Sequence, residues 1–346
     1  MDTEWKIGES NMFNNSNFTD EPVVFESIVP PSLQYGFGVF GNLIAIILLF
    51  RSSGQHKWKP FYRLVGGLAI TDFCGIALVY PAVMIRYISG FTFDFPKELC
   101  GFVSFCFSFS FLSSALIVSA MSFDRFLAVT CPILYRESQV KRTNVILIVI
   151  WIFSTCISSL NLVGIGSVKN FYPGSWCFLD FANKGKLERI NTYIYSITGF
   201  LILSTTVFLN IAVVYSVNRK PKFLTSDKRK KRNDIFIIVF LFSIVTVFSI
   251  CWVPLMVRML INASASDPKN GPDELLAVRM TISNAIVDPW IYIILRKENL
   301  VKMSKLVQRV RNSDHLPTIF ITRESKATRA CGVSNPSTPP TCSTQL

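Results

Sequence analysis

The sequence predicts an all-α membrane protein: a seven-transmembrane helix bundle with a short amphipathic helix after the seventh span. Three observations carry that expectation. Half of the 346 residues are hydrophobic, mean hydropathy is +0.41, and only 16% are charged. Seven apolar segments lie at about 31–51, 60–88, 99–130, 143–166, 190–217, 233–262 and 274–295, each long enough to cross a hydrocarbon core. The basic residues gather in alternate connections between those segments, which fixes an orientation.

Residues 1–29 form a polar, acid-rich arm with two glycosylation sequons, at Asn14 and Asn17, consistent with an extracellular N-terminus. No basic region leads into an early apolar stretch, so the first span is expected to be its own signal and anchor. The bundle is expected over 30–296. Its first inside loop carries Arg51, Lys57 and Lys59, the second Arg136, Lys141 and Arg142, and the third eight basic residues from Arg219 to Arg232. The outside loops hold Lys97, Lys169, Lys184, Lys186, Arg189 and Lys269, so the inside face is the more basic throughout. The net charge of +13 therefore reads as membrane orientation and contact with membrane lipids rather than nucleic-acid binding, for which no finger, sheet or groove-reading motif is present. Residues 228–232, KRKKR, suit an inner-leaflet or partner-facing surface better than a nuclear signal.

After the seventh span, 297–311 places Leu300, Met303, Leu306, Val307 and Val310 on one helical face with Lys and Arg opposite, as in a helix lying in the inner interface. The tail, 312–346, is rich in Ser, Thr and Pro and is expected to be disordered. Among nine cysteines, Cys74, Cys106, Cys131, Cys156 and Cys251 lie in or beside spans, where small core residues are the simple reading. Cys100 and Cys177 fall in outside loops, where a disulfide can persist. Cys331 and Cys342 lie in the tail, far beyond the amphipathic segment, so neither is expected to be palmitoylated.

The seventh segment carries the most informative polar residues. Arg279, Asn284, Asp288 and Pro289 sit in an otherwise apolar run, RMTISNAIVDPWIY. Ionisable groups at bilayer depth usually face a protein interior and mark a working site. Ten residues at about 1.5 Å each put Arg279 roughly 15 Å above Pro289, in the outer third of the bundle. A guanidinium there suits a bidentate carboxylate; the alternative is an Arg snorkelling to the outer headgroups. Arg258 has no such ligand role and reads as the snorkeller. Span three offers Phe105, Phe107, Phe109 and Phe111 and no acid, which suits a fatty-acid ligand and not an amine, although such stripes also build plain cores. Asp124 and Arg125 end span three, where the acid can hold the Arg in check until it reaches a partner; a snorkelling Arg is the alternative.

Taken together these positions are similar to the rhodopsin-like family of G-protein-coupled receptors. The resemblance rests on Gly41-Asn42, on Leu68-Ala69-Ile70-Thr71-Asp72, on Asp124-Arg125, on Trp151, on Cys251-Trp252-Val253-Pro254 and on Asp288-Pro289-Trp290-Ile291-Tyr292, in family order over about 31–310. It implies a Cys100–Cys177 disulfide, a switch built from Asp124, Arg125, Trp252, Pro254, Asp288, Pro289 and Tyr292, and coupling to G proteins and arrestin. It also implies a sodium-coordinating cluster of Asp72, Ser114, Asn284 and Asp288, with sodium as a modulator and no other cofactor; a buried hydrogen-bond network without an ion is the alternative.

Gly174 to Asp180 (GSWCFLD), Arg279 and the run Asp288 to Arg296 resemble the prostanoid receptors, and Pro254 to Arg258 with Leu275 to Lys297 is most similar to those of prostaglandin E subtype four. That resemblance implies a plasma-membrane receptor for prostaglandin E2, acting through the cyclase-stimulating G protein Gs. Arg279 would pair with the ligand carboxylate, with Tyr87, Ser175 and Trp176 nearby. Departures occur at Val83, where the similar receptors have Thr, and at Ile282, where they have Ser. Trp252 follows the general family pattern, Asp124 replaces the more usual Glu, and the third inside loop is short. The two lost hydroxyls keep open a different lipid mediator or acidic ligand. An opsin is disfavoured because span seven has no Lys. A transporter or channel using Asp72 and Asp288 would usually carry inverted repeats, and none is seen in the sequence. An enzyme is the least favoured reading, because no nucleophile, base and orienting group converge in any motif.

Overall fold

The computed structural model describes residues 26–51, 60–132, 135, 139–219, 228–264 and 271–295. The sequons at Asn14 and Asn17, the amphipathic segment 297–311 and the tail 312–346 lie outside them. Among the described residues seven helices follow in order: α1 Val29–Arg51, α2 Pro60–Ile88, α3 Lys97–Thr130, α4 Gln139–Ser158, α5 Lys186–Arg219, α6 Lys228–Ser264 and α7 Pro272–Leu295. Five of them, all but α4 and α7, are long and apolar enough to cross a membrane by length and composition. α4 offers a shorter apolar stretch, Arg142–Ser158. The chain divides after Tyr292, and of its second unit only Ile293–Leu295, the end of α7, is described.

α3 is the axis of the bundle. Of its apolar window 78% is buried, against 28% for α1, and it packs on α2, α4, α5 and α6. Val103, Ala115, Ile117, Val118 and Met121 are fully buried along it. Leu201, Phe208 and Ile211 of α5 instead point outward, as an apolar face toward lipid should. With lipid on the outside, helices gain little from hydrophobic burial and rely on close approach and polar cross-links. Gly41 and Gly75 supply the approach. A Cβ on Gly41 would lie 2.9 Å from the Trp290 indole nitrogen, and one on Gly75 would collide with Ser110. Trp151 Nε1 donates to Thr71 Oγ1 at 3.0 Å, and Asn210 Nδ2 to Ser122 Oγ at 2.8 Å, joining α4 to α2 and α5 to α3.

Pro289 shows how the bundle accommodates a helix breaker. It has no N–H for the Ala285 carbonyl one turn back. Asn42 of α1 fills that role, its Nδ2 donating to Ala285 O at 3.0 Å. The freed acceptor is satisfied by a neighbour, as lipid exposure demands.

Four features depart from the sequence expectation. The apolar run to 166 outlasts α4, which stops at Ser158. Turns follow through Gly164 (φ +87°) and Gly166 (φ +109°), left-handed conformations that glycine tolerates, and Asn161 is tied to Asn191 of α5. The connection then forms a hairpin that the all-α reading did not contain. β1 Val168–Phe171 pairs antiparallel with β2 Trp176–Leu179, Phe171 opposite Trp176. All four β2 residues are buried, so no period-2 alternation announced the strand. The Cys100–Cys177 disulfide fastens β2 to the start of α3. At the other loops α5 begins four residues earlier than its apolar run, and the basic 228–232 stretch opens α6.

Candidate functional site

α7 threads three polar tiers. In the outer tier, Arg279 donates from Nη2 to the Tyr87 hydroxyl at 3.1 Å, and its Nη1 lies 3.4 Å from Glu26 Oε2. The Arg279 side chain is 22% exposed, so it is open to solvent and not sealed in the core. Tyr87 packs edge-on against Phe91. Val83 and Ile282, the two positions without hydroxyls, are buried, and Ile282 lines a cavity between α2, α3, α6 and α7. Ser175 is buried in the hairpin turn. Trp176 is held within the hairpin: it stacks on Phe171, and its Nε1 donates to the Tyr172 carbonyl at 2.8 Å. Its one donor is thus used inside the loop.

Arg258 corrects an expectation. It does not snorkel but pairs with Glu274, and its Nη1 lies 3.4 Å from Asp273. Glu274 is 1% exposed and also receives Asn262 Nδ2 at 3.1 Å and the Gly271 N–H at 2.8 Å. A buried carboxylate collects every donor in reach, which the first turn of α7 places beside the outer end of α6.

The middle tier brings together all four residues of the predicted cation cluster. Ser114 Oγ donates to Asp72 Oδ1, and Asn284 Nδ2 donates to Asp288 Oδ2 at 3.0 Å. Asp72 Oδ2, Asp288 Oδ1 and Asn284 Oδ1 are buried without a protein partner. Buried acceptors normally find a donor or a cation, so two carboxylate oxygens and one amide oxygen left this way fit a hard cation. Asp72, Ser114 and Asn284 line the same cavity as Phe111, Trp252 and Ile282, which links the middle tier to the outer one. Trp252 is 2% exposed and packs on Phe248. Thr281 Oγ1 donates to the Cys251 carbonyl at 3.2 Å, next to Trp252 and one turn before Pro254.

In the inner tier Arg125 is restrained on several sides. Its Nε donates to Asp124 Oδ2 at 2.9 Å and a second N–H reaches the same oxygen. Nη2 donates to the Tyr135 hydroxyl at 3.0 Å, and that hydroxyl donates to Asp124 Oδ2 at 3.3 Å. The guanidinium lies over the Phe61 ring, 4.8 Å from its centre. Burial pushes the Tyr135 phenol up to about 12, so it stays protonated and able to donate at physiological pH. Phe61 meets Phe240 edge-on, and Phe240 meets Tyr292. These aromatics join α2, α6 and α7 beside the Arg125 cluster.

The family model described as "7 transmembrane receptor (rhodopsin family)" matches residues 41–292. The chain belongs to this family. A squid rhodopsin structure covers 82% of the receptor at 19% identity with a TM-score of 0.69, and 84% of its own chain is matched, which shows the shared fold. Within the family the receptor belongs with the prostanoid receptors. It is 30% identical to the rat prostaglandin E2 receptor EP4 subtype, over 86% of this chain and 70% of that one. It is 30% identical to the mouse prostacyclin receptor, over 79% and 69%. The rabbit prostaglandin E2 receptor EP3 subtype is 29% identical over 81% and 76%. The receptor is thus a multi-pass membrane protein.

Sequence reading missed Glu26, Gln34, Glu274, Tyr135, Phe61 and Phe240. Glu274 carried a signal in retrospect, an acid in the first turn of a helix, where the dipole favours it. The others are partners across helices, and no spacing in the sequence marks them.

Proposed function

We propose that the receptor binds a prostanoid, with prostaglandin E2 the best-supported ligand. The observation that carries this reading is Arg279, a partly exposed guanidinium held at the outer end of α7 by Tyr87. It offers a lipid carboxylate a planar pair of donors. Phe107 and Phe111 of α3, with Trp252, supply an apolar lining for the chain below it. The names of its relatives, receptors for prostaglandin E2 and for prostacyclin, point to the same ligand class.

Agonist binding would favour an open bundle in which Arg125 leaves Asp124 and Tyr135 and meets a G protein, Gs by resemblance. A ligand shifts this equilibrium only by its differential affinity for the two states. Asp72, Ser114, Asn284 and Asp288 would hold a sodium ion that favours the closed state. Trp252, Pro254, Pro289 and Tyr292 would carry the change inward. This reading places the receptor in the plasma membrane, with a glycosylated N-terminus outside and arrestin as a second cytoplasmic partner.

Cyclic AMP after prostaglandin E2, in cells expressing the wild type or Arg279→Ala, tests the reading. A full response of Arg279→Ala at unchanged potency overturns the anchor. The apolar Val83 and Ile282 favour a second reading, a different lipid mediator or acidic ligand that needs no hydroxyl there. A prostanoid panel with cyclic AMP and calcium readouts on surface-labelled receptor separates the two.

A further inference from the structure

Arg279 already faces a carboxylate of its own chain. Glu26 lies three residues before α1 opens, and both side chains are under a quarter exposed. The contact is single and long, 3.4 Å to Nη1 alone, where charge-assisted bonds run about 2.7–2.9 Å. The backbone of the same residue is fixed from α1 as well. Gln34 Nε2 donates to the Arg279 carbonyl at 3.1 Å, and the Tyr80 hydroxyl donates to Gln34 Oε1 at 2.9 Å. The stretch from Glu26 to Gln34 therefore touches Arg279 twice, firmly at the backbone and loosely at the charge.

We infer that Glu26 is an internal competitor for the Arg279 anion site. The inference rests on the reading of Arg279 as the carboxylate anchor. A guanidinium with Tyr87 on Nη2 and Glu26 on Nη1 cannot present a free fork to an incoming carboxylate. A ligand must displace Glu26 to pair in the bidentate manner. A short carboxylate from solution merely exchanges one monovalent partner for another and gains nothing. A lipid carboxylate also buries its chain in the cavity below, and that additional gain drives the exchange. Glu26 thereby raises the threshold for every carboxylate and leaves the long-chain ones able to cross it. Gln34 and Tyr80 keep the helix turn in place while the guanidinium changes partners.

Partly exposed ion pairs are weak, so neutralising Glu26 should change affinity by about two- to fivefold. The test compares the full-length wild type with Glu26→Gln, alone and combined with Arg279→Gln, for binding of prostaglandin E2 and its methyl ester. Glu26→Gln is expected to tighten the acid about two- to fivefold, leave the ester unchanged, and have no effect once Arg279 is gone. A merely structural tie would shift acid and ester together. Where the wild type binds the acid and Arg279→Gln abolishes it, an unchanged or weakened acid affinity in Glu26→Gln overturns the competitor and leaves the anchor standing. A wild type that ignores the acid overturns the ligand reading instead, and a ligand-free measurement then decides the pairing. Glu26→Cys on intact cells should react faster with the anionic sulfonatoethyl methanethiosulfonate than with the cationic trimethylammonioethyl reagent. Arg279→Gln should erase that preference; no preference at the start overturns the pairing.

Discussion

Arg279 and Arg125 are the same side chain held in opposite ways. Arg279, 22% exposed, has one phenol and one distant carboxylate, and its long contact leaves it ready to exchange partners. Arg125, 13% exposed, has an adjacent acid, a tyrosine that bonds both members of that pair, and an aromatic face beneath it. The outer arrangement suits a group that must meet a ligand from solution. The inner one suits a group that must stay restrained until the helices around it move. Chemistry does not distinguish the two arginines; the number of their partners does.

The largest test of that contrast is the outer arginine itself. Removing one member of a desolvated charge pair costs about 2–5 kcal/mol, so Arg279→Ala should weaken a carboxylate ligand by about thirtyfold or more. Arg279→Lys should recover part of the loss, because a point charge remains without the fork. Competition binding on membranes reads both, and a surface-expressed Arg279→Ala with wild-type affinity would remove the asymmetry.

Arg258 sharpens the contrast from a third side, since it is partnered more fully than Arg279 yet touches neither switch nor anchor. Glu274→Ala strands that cation and the Asn262 amide, and should lower stability by about 3 kcal/mol. Thermal unfolding in detergent measures it, with affinity of the surviving protein unchanged. A selective loss of ligand affinity at unchanged stability would instead move Arg258 into the binding site.

These arginines also mark how far the sequence could be read. Helix count and the spacing of Arg279 from Pro289 along α7 follow from hydropathy and helical rise, which are local or periodic properties. Asp72, Ser114, Asn284 and Asp288 lie on three helices, and their convergence was legible only through resemblance to a family pattern. Arg258 was misread because its fate depends on Glu274, a residue sixteen positions away across a loop. Nothing in one chain's spacing reports such a pairing. The hairpin at 168–179 was missed for a related reason: its second strand is buried on both faces by the disulfide and by Phe171 and Phe181, and so shows no alternation.

Between the two arginines lies the cluster that would couple them. If a cation bridges the unpartnered oxygens of Asp72, Asn284 and Asp288, sodium should lower agonist affinity, with a coupling of about 1–2 kcal/mol. Asp72→Asn should abolish that sodium dependence while leaving antagonist binding in place. Agonist titrations in sodium against a large organic cation at equal ionic strength separate the specific effect from screening. A sodium response that persists in Asp72→Asn would place the ion elsewhere.

The smallest effect is expected at Tyr135, and it bears most directly on the inner restraint. Its hydroxyl accepts from Arg125 and donates to Asp124, so it both orients the acid and shares the cation. Tyr135→Phe keeps the ring beside the guanidinium and removes the hydroxyl that makes those two bonds, each worth about 0.5 kcal/mol net in a partly buried setting. Asp124 still holds Arg125, so the closed state should lose about 1 kcal/mol in all and basal cyclic AMP should rise about fivefold at matched surface expression. The phenol stays neutral over the physiological range, because burial raises its pKa to about 12. The folded value lies above the free one, so the neutral donor persists until pH approaches 12, and basal activity should show no step from this group between pH 6 and 8. Basal signalling that is unchanged in Tyr135→Phe would leave Arg125 restrained by Asp124 and Phe61 alone, and would narrow the difference between the two arginines to a single adjacent acid.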